Sequence, residues 1–268
     1  MMIPKIIHYC WFGRNPLPES AQKCIASWRK FFPEYEIWQW SEEELESSSD
    51  LNLNANVNCL YDKLMGFDVN SIQYTREAYE AKKYAFASDY ARFWILYKYG
   101  GLYFDTDVEV IKPMNDIIER GPFMGIELIG ADGMPLVNPG LGLGVESQNP
   151  FYKKVLDYYN GQRFLNEDGS LNQTTVVTRV TGVLTEAGMQ ATPAMQMVGD
   201  IWIYPSDYFN PLDDLTGKLK TTENTRSIHW YKNSWSDSSL LHRWLSRISH
   251  RLWGMKIHRL KEWLKVNF

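Results

Sequence analysis

The stretch from Thr75 to Asp107 restricts the fold of this chain more than any other. Apolar residues recur at Tyr90, Phe93, Trp94 and Tyr97, the spacing of one helix face, which predicts a single helix from about Thr75 to Tyr99. Gly100-Gly101 supplies a left-handed stop. Leu102-Tyr103-Phe104 then reads as a short buried strand running straight into Asp105-Thr106-Asp107, with Val108 to Ile111 continuing it as far as Pro113. A helix that stops abruptly and returns as an apolar strand is one unit of alternating α/β winding.

The flanking sequence extends that pattern. Ile3 to Cys10 predicts a buried strand ended by Trp11-Phe12-Gly13, and Pro16 and Pro18 lead into a helix through Trp28 and Phe31 that Pro33 stops. Glu36 to Trp40 predicts a second strand. Ser41 with Glu44 has the form of a capping box for a short acidic helix, and residues 47–60, rich in Ser and Asn, read as a loop. Further strands are predicted over Phe123–Leu128, Leu141–Glu146, Met197–Tyr204 and Ser227–Tyr231, and helices over Pro150–Tyr159 and Thr174–Glu186. The expected class is α/β, an open sheet covered by helices on both faces.

The 268 residues suit one sizeable domain with an appendage. The charge locates the boundary. The net −4 splits into −10 on residues 1–239 and +6 on residues 240–268, where seven basic residues stand against Glu262. In that tail Leu241, Trp244, Leu245, Ile248 and Leu252 recur three and four apart, with Arg243, Arg247 and Arg251 offset, as in a basic amphipathic helix. It reads either as a terminal helix docked on the core or, the favoured reading, as a contact with an anionic membrane surface. The acidic body repels phosphates, so no nucleic-acid partner is expected. Cys10, Cys24 and Cys59 form no disulfide framework, the opening residues lack the form of a signal peptide, and no apolar run approaches roughly 20 residues. The expected location is cytoplasmic, with the tail peripheral on the cytoplasmic membrane face.

Asp105 and Asp107 are the first candidates for chemistry. On a strand, residues i and i+2 point the same way, so two carboxylates at that spacing converge on one hard cation, which can bridge the phosphates of a nucleotide. Two solvated acids at a strand end would look the same, but ligands of open α/β sheets bind beyond the carboxyl ends of strands. Asp89 and Arg92, three apart, share a helix face. They read as an ion pair or as a sugar-binding pair. The high aromatic content, with 11 Trp and 16 Tyr, serves a bulky core or surfaces that stack on bases and sugar rings.

Ala87-Ser88-Asp89-Tyr90-Ala91-Arg92 followed by Tyr99-Gly100-Gly101-Leu102-Tyr103-Phe104-Asp105-Thr106-Asp107 resembles the sugar-binding region of family 32 glycosyltransferases. That family includes yeast initiating mannosyltransferases and bacterial capsular polysaccharide enzymes, and the pattern recurs in the glucosylating toxins of clostridia. Ile3-Pro4-Lys5-Ile6-Ile7-His8 with Trp11-Phe12-Gly13 is similar to the family's opening, and His229 with Ser234-Trp235 to its closing motif. The resemblance covers both ends of residues 1–235 and leaves out the tail. It implies a GT-A type fold over residues 1–239, with a Rossmann-like mixed open sheet.

It also implies site roles. Trp11 stacks on the nucleobase, with His8 of the same opening motif among the cofactor-binding residues. Asp89 and Arg92 hold the sugar, and Tyr103 lies near the ribose or sugar. Asp105, Thr106 and Asp107 bind the metal and diphosphate, His229 is a third ligand to Mn²⁺ (or Mg²⁺), and Ser234 and Trp235 close over the diphosphate. Asn138, in the turn Asn138-Pro139-Gly140, resembles a donor-sugar contact of family 8 enzymes. Thr181-Gly182 resembles an acceptor-side Thr-Gly-Pro motif, with Val183 in place of Pro.

The implied activity moves a hexose or N-acetylhexosamine from a nucleotide-sugar, UDP-linked by preference, to a glycan or lipid-linked acceptor in bacterial surface polysaccharide synthesis. Retention of configuration is implied. Asp89, Arg92, Asp107 and Asn138 are the catalytic candidates. A non-catalytic nucleotide-sugar-binding protein is the main alternative. An aspartate-based phosphohydrolase fits less well, because Glu109 occupies the position where that class carries Thr or Val.

Overall fold

A computed structural model of the protein describes residues 2–42, 60–214 and 216–231. The predicted acidic helix after Ser41, Ser234, Trp235 and the amphipathic tail over 240–268 lie outside these residues. Ser41 itself sits within a strand.

The chain runs β1 (Ile6–Cys10), α1 (Glu19–Phe31), β2 (Glu36–Glu42), β3 (Lys63–Phe67), α2 (Gln73–Glu80), α3 (Tyr84–Tyr99), β4 (Gly101–Tyr103) and β5 (Val108–Val110). It continues with α4 (Asn115–Ile118), β6 (Phe123–Ile129), β7 (Pro135–Val137), β8 (Leu143–Val145), α5 (Pro150–Asn160) and α6 (Val176–Glu186). Last come β9 (Gln196–Val198), β10 (Ile201–Tyr204), α7 (Ser206–Phe209), β11 (Leu212–Asp213), β12 (Lys218–Leu219) and β13 (Ser227–His229).

The main sheet has the order β3-β2-β1-β4-β8-β6-β10-β9, with β7 paired to β6. β3, β2, β1 and β4 are mutually parallel. β8 lies antiparallel between β4 and β6, and β10 runs parallel to β6. This is the mixed α/β sheet flanked by helices that the sequence predicts. Strand alternation divides the core between the two faces. Ile7, Tyr9 and Ile37 join Trp28 of α1 on one side, while Trp38 and Trp40 join α3 and α5 residues on the other. β13 leaves the main sheet and pairs antiparallel with β5 in a separate two-stranded ribbon.

Three predicted elements differ in the structure. The helix over Thr75–Tyr99 is two helices, α2 and α3, packed on each other. Lys82 breaks it with a left-handed φ of 57°, at a residue type that announces no turn. Met197–Tyr204 is two antiparallel strands, because Gly199 (φ 63°) turns the chain. The acids Asp105 and Asp107 lie beyond β4 in a turn closed by the Val108 N–H on the Asp105 carbonyl at 3.0 Å, so strand alternation does not align them.

The Gly-Gly stop is required by contact as well as by φ. Gly100 (66°) and Gly101 (105°) are both left-handed, and a Cβ on Gly101 would fall 2.6 Å from the Ile6 carbonyl oxygen of the neighbouring strand. Only a residue without a side chain lets β4 enter beside β1 directly from α3.

Candidate active site

α3 carries two charged residues into the interior. Asp89 is 7% exposed and Arg92 3%. Such groups are tolerated only when paired. The Arg92 guanidinium lies between two carboxylates: Nη2 is 3.1 Å from Asp89 Oδ1 and 3.2 Å from Asp105 Oδ1. Nη1 also reaches Asp105 Oδ2 at 3.4 Å. Behind it the Tyr103 ring lies 5.0 Å from the guanidinium carbon, and the Tyr103 hydroxyl donates to Asp105 Oδ1 at 3.3 Å. Burial pushes the Asp89 carboxyl up to about 7, although Arg92 opposes this. Burial likewise raises Asp105 against the pull of Arg92. The backbone N–H of Val176, at the start of α6, also opposes the rise of Asp89.

Asp105 is fixed from the other side by the Asn138-Pro139-Gly140 turn. The Asp105 N–H donates to the Gly140 carbonyl at 3.2 Å, and the Asn138 side chain accepts the Gly140 N–H at 2.7 Å. A Cβ on Gly140 would fall 2.1 Å from Asp105 Oδ2, so the carboxylate occupies the space a side chain would need.

The ribbon brings in the third group. β13 pairs with β5 so that His229 opposes Val108, and the Trp230 N–H donates to the Asp107 carbonyl at 3.0 Å. His229 Nε2 then lies 3.0 Å from Asp107 Oδ1. Burial works to lower the imidazole pKa, but the charge and hydrogen bond of Asp107, with Asp105 behind it, outweigh burial and raise it. One ligand atom each from Asp105, Asp107 and His229 falls within 4.8 Å of the others. Adjacent ligands of an octahedral ion at about 2.1 Å stand roughly 3 Å apart. The Asp107–His229 separation matches that spacing, and carboxylate with neutral imidazole suits a divalent ion such as Mn²⁺. The residues fit the metal.

These groups face a cavity of about 610 Å³, a usual size for a small-molecule site. Of the residues singled out in the sequence, Trp11, Asp89, Arg92, Asp105, Thr106, Asp107, Asn138 and His229 line it. His8 and Tyr103 do not. His8 is fully buried, accepts the Trp40 indole N–H on Nδ1 at 3.1 Å and donates from Nε2 to the Gly100 carbonyl at 2.9 Å. Both nitrogens are spent on the fold. Tyr103 sits behind Asp105. Thr181 is buried, and its hydroxyl accepts the Val137 N–H at 2.9 Å, joining α6 to β7. Lys82, Lys83, Glu127, the first turn of α6 and Tyr231 also line the cavity, and no sequence motif marks them. None belongs to a recognisable spacing, because the fold assembles them from separate elements.

Residues 18–124 match the family described as a glycosyltransferase sugar-binding region containing a DXD motif, and Asp105-Thr106-Asp107 falls within that span. Among curated relatives, inositol phosphoceramide mannosyltransferase 1 of Schizosaccharomyces pombe is 29% identical over 126 residues, 46% of this chain and 33% of that protein. Inositol phosphoceramide mannosyltransferase 3 of the same yeast is 28% identical over 118 residues, 43% of this chain and 27% of that one. The chain thus spans about a third of the length of the curated relatives it matches. Among solved structures, mouse xyloside xylosyltransferase 1 in its apo form is similar at 13% identity, with 85% of this chain and 97% of that one covered and a TM-score of 0.48.

Proposed function

We propose that the protein is a metal-dependent glycosyltransferase of the family 32 type and GT-A class, which moves a sugar from a nucleoside diphosphate to a glycan or lipid-linked acceptor. One observation carries the reading: the ligand atoms of Asp105, Asp107 and His229 converge within 4.8 Å on a cavity that also presents Trp11, Asp89, Arg92 and Asn138. Trp11 offers an indole face to the base. Asp105, Asp107 and His229 would hold the divalent ion. When bound, that ion offsets negative charge developing on the diphosphate.

The chain's own residues supply the rest. Arg92 holds Asp105 in place and keeps a positive charge beneath the site. Asn138 spends its carbonyl oxygen on Gly140, so its amide N–H groups are the ones available to a sugar hydroxyl. Asp89 contributes a carboxylate edge at the cavity wall, where a donor sugar or ribose hydroxyl is its partner. Retention of configuration follows a same-face return, for which no protein nucleophile is needed. Surface polysaccharide synthesis is the reading of its biological setting. The basic residues of 240–268 are the proposed contact with the anionic cytoplasmic face of a membrane.

The test is a donor screen: purified protein, Mn²⁺, and a panel of UDP- and GDP-sugars, read as nucleotide release. UDP-hexoses are the favoured donors, and the names of the yeast relatives support adding a mannose donor. Asp105→Ala and Asp107→Ala should abolish release while thermal melting stays cooperative. Most of the activity surviving in either variant overturns the metal assignment.

A further inference from the structure

Four carboxylates line the cavity among the described residues: Asp89, Asp105, Asp107 and Glu127. The first three have partners that fix their roles. Asp105 and Asp107 belong to the metal set, and Asp89 is turned to Arg92 and the start of α6. Glu127 is left. It comes from β6, an element no motif marks, and its local structure is unusual in three ways.

First, Glu127 sits in a bulge. β6 and β7 pair Ile126 with Val137 and then Leu128 with Leu136, so the register shifts across Glu127. Bulges re-aim a side chain at the cost of a ladder hydrogen bond, and they recur beside active sites. Second, the backbone carbonyl of Glu127 accepts from the Asn210 side-chain amide at 2.9 Å, which satisfies the displaced group. Third, the Tyr231 hydroxyl donates to Glu127 Oε1 at 2.9 Å, and Tyr231 holds a left-handed φ of 49°. An uncommon conformation for a bulky residue persists only when its surroundings enforce it. Tyr231 also packs its ring 4.2 Å from that of His229, so Glu127 stands next to the metal-ligand cluster.

We infer that Glu127 is a catalytic residue: its carboxylate receives the proton of the incoming hydroxyl during sugar transfer. The inference rests on the transferase reading and extends it. The oxygen of the acceptor hydroxyl, or of water in donor hydrolysis, bonds to the anomeric carbon. The bond from that carbon to the phosphate oxygen breaks, and its electron pair leaves with the nucleoside diphosphate. The hydroxyl proton passes to Glu127. Tyr231 holds Oε1 in place, the one side-chain hydrogen bond to this carboxylate among the described residues.

A lesser role for Glu127 is to hold Tyr231 against His229, and the test separates the two. Glu127→Gln keeps an oxygen that accepts from Tyr231 but is not a base. Water serves as the acceptor, so no natural acceptor is needed: nucleotide release from the UDP- and GDP-sugar panel is measured with Mn²⁺. Glu127→Gln should lower kcat by about 10²-fold or more, the usual contribution of a positioned base, with KM for the donor and UDP or GDP affinity little changed. Formate should restore part of the rate in Glu127→Ala. Tyr231→Phe, which removes the positioning hydroxyl and leaves the carboxylate, should lower kcat by clearly less than Glu127→Gln does, and formate should not raise its rate. A Glu127→Gln enzyme within about threefold of the parent overturns the inference, as does equal loss in Glu127→Gln and Tyr231→Phe. The Asp105→Ala control tells the two readings apart. Release by the parent that Asp105→Ala abolishes keeps the transferase reading whatever Glu127 does. No release by the parent from any donor overturns both.

Discussion

Gly140→Ala is a small change with a large expected consequence. The new Cβ would lie 2.1 Å from Asp105 Oδ2, 3.0 Å from Asn138 Oδ1 and 3.1 Å from Asp105 Cγ. Real Cβ atoms essentially never approach closer than 3.0 Å, so the Asp105 carboxylate must withdraw by about 0.9 Å. It cannot withdraw freely. Its backbone N–H is bonded to the carbonyl of Gly140 itself, and its oxygens are held by Arg92 and Tyr103 at 3.2 to 3.4 Å. A displacement of about 1 Å at a reacting centre costs on the order of 10²-fold in rate. Overpacking at a buried position costs about 1–3 kcal/mol of stability, which leaves a domain of this size folded. Gly140 has no left-handed φ, so contact alone penalises the alanine. The assay is Mn²⁺-dependent nucleotide release from the best donor, beside a thermal melt of parent and variant. A folded Gly140→Ala protein with kcat/KM within twofold of the parent would refute the reasoning, because Asp105 would then not act from where it lies.

Two further outcomes follow from buried charges. His8 is held neutral by burial, which lowers its pKa to about 4 despite the opposing bond to the Gly100 carbonyl. The unfolded chain binds this proton near pH 6.5 and the folded chain only near 4, so the stability His8 permits is whole above 6.5 and declines as pH falls to 4. The 2.5-unit gap corresponds to about 3 kcal/mol, measured as the pH dependence of urea unfolding, and His8→Phe should lack that part of the slope. Arg92→Met strands two carboxylates and should cost about 3–5 kcal/mol in the same assay; a loss below 1 kcal/mol means the pairing is not what holds them.

Much of the fold is legible because its signals are local. Prolines bracket α1, apolar runs mark β1 and β6, and the Asn149-Pro150 start marks α5, where the Asn149 side chain caps Phe151 and Tyr152. The breaks are less legible. Lys82 turns the chain with no glycine or proline, and β3 and β7 are short strands, each defined by its pairing with the strand before it. The site divides the same way. The contiguous segment from Asp89 to Asp107 carries most of the cluster, and motif spacing finds it. His8 shows how a motif residue can serve the fold alone, its two nitrogens consumed by Trp40 and Gly100. Glu127 shows the converse: its prominence comes from a bulge and from Asn210 and Tyr231, which pairing patterns in three dimensions reveal and linear spacing does not.

The β5–β13 ribbon sets an order on biosynthesis. The two aspartates leave the ribosome more than a hundred residues before the imidazole that faces them. The parallel half of the sheet, β3-β2-β1-β4, is complete in sequence by Tyr103 and can begin to pack while the rest is still being made. The cluster of Asp105, Asp107 and His229 cannot close until Ser227–His229 has docked on Val108–Val110. A nascent chain therefore carries two acids without their histidine while more than a hundred further residues are made. The cluster is complete only when one of the last described strands is in place.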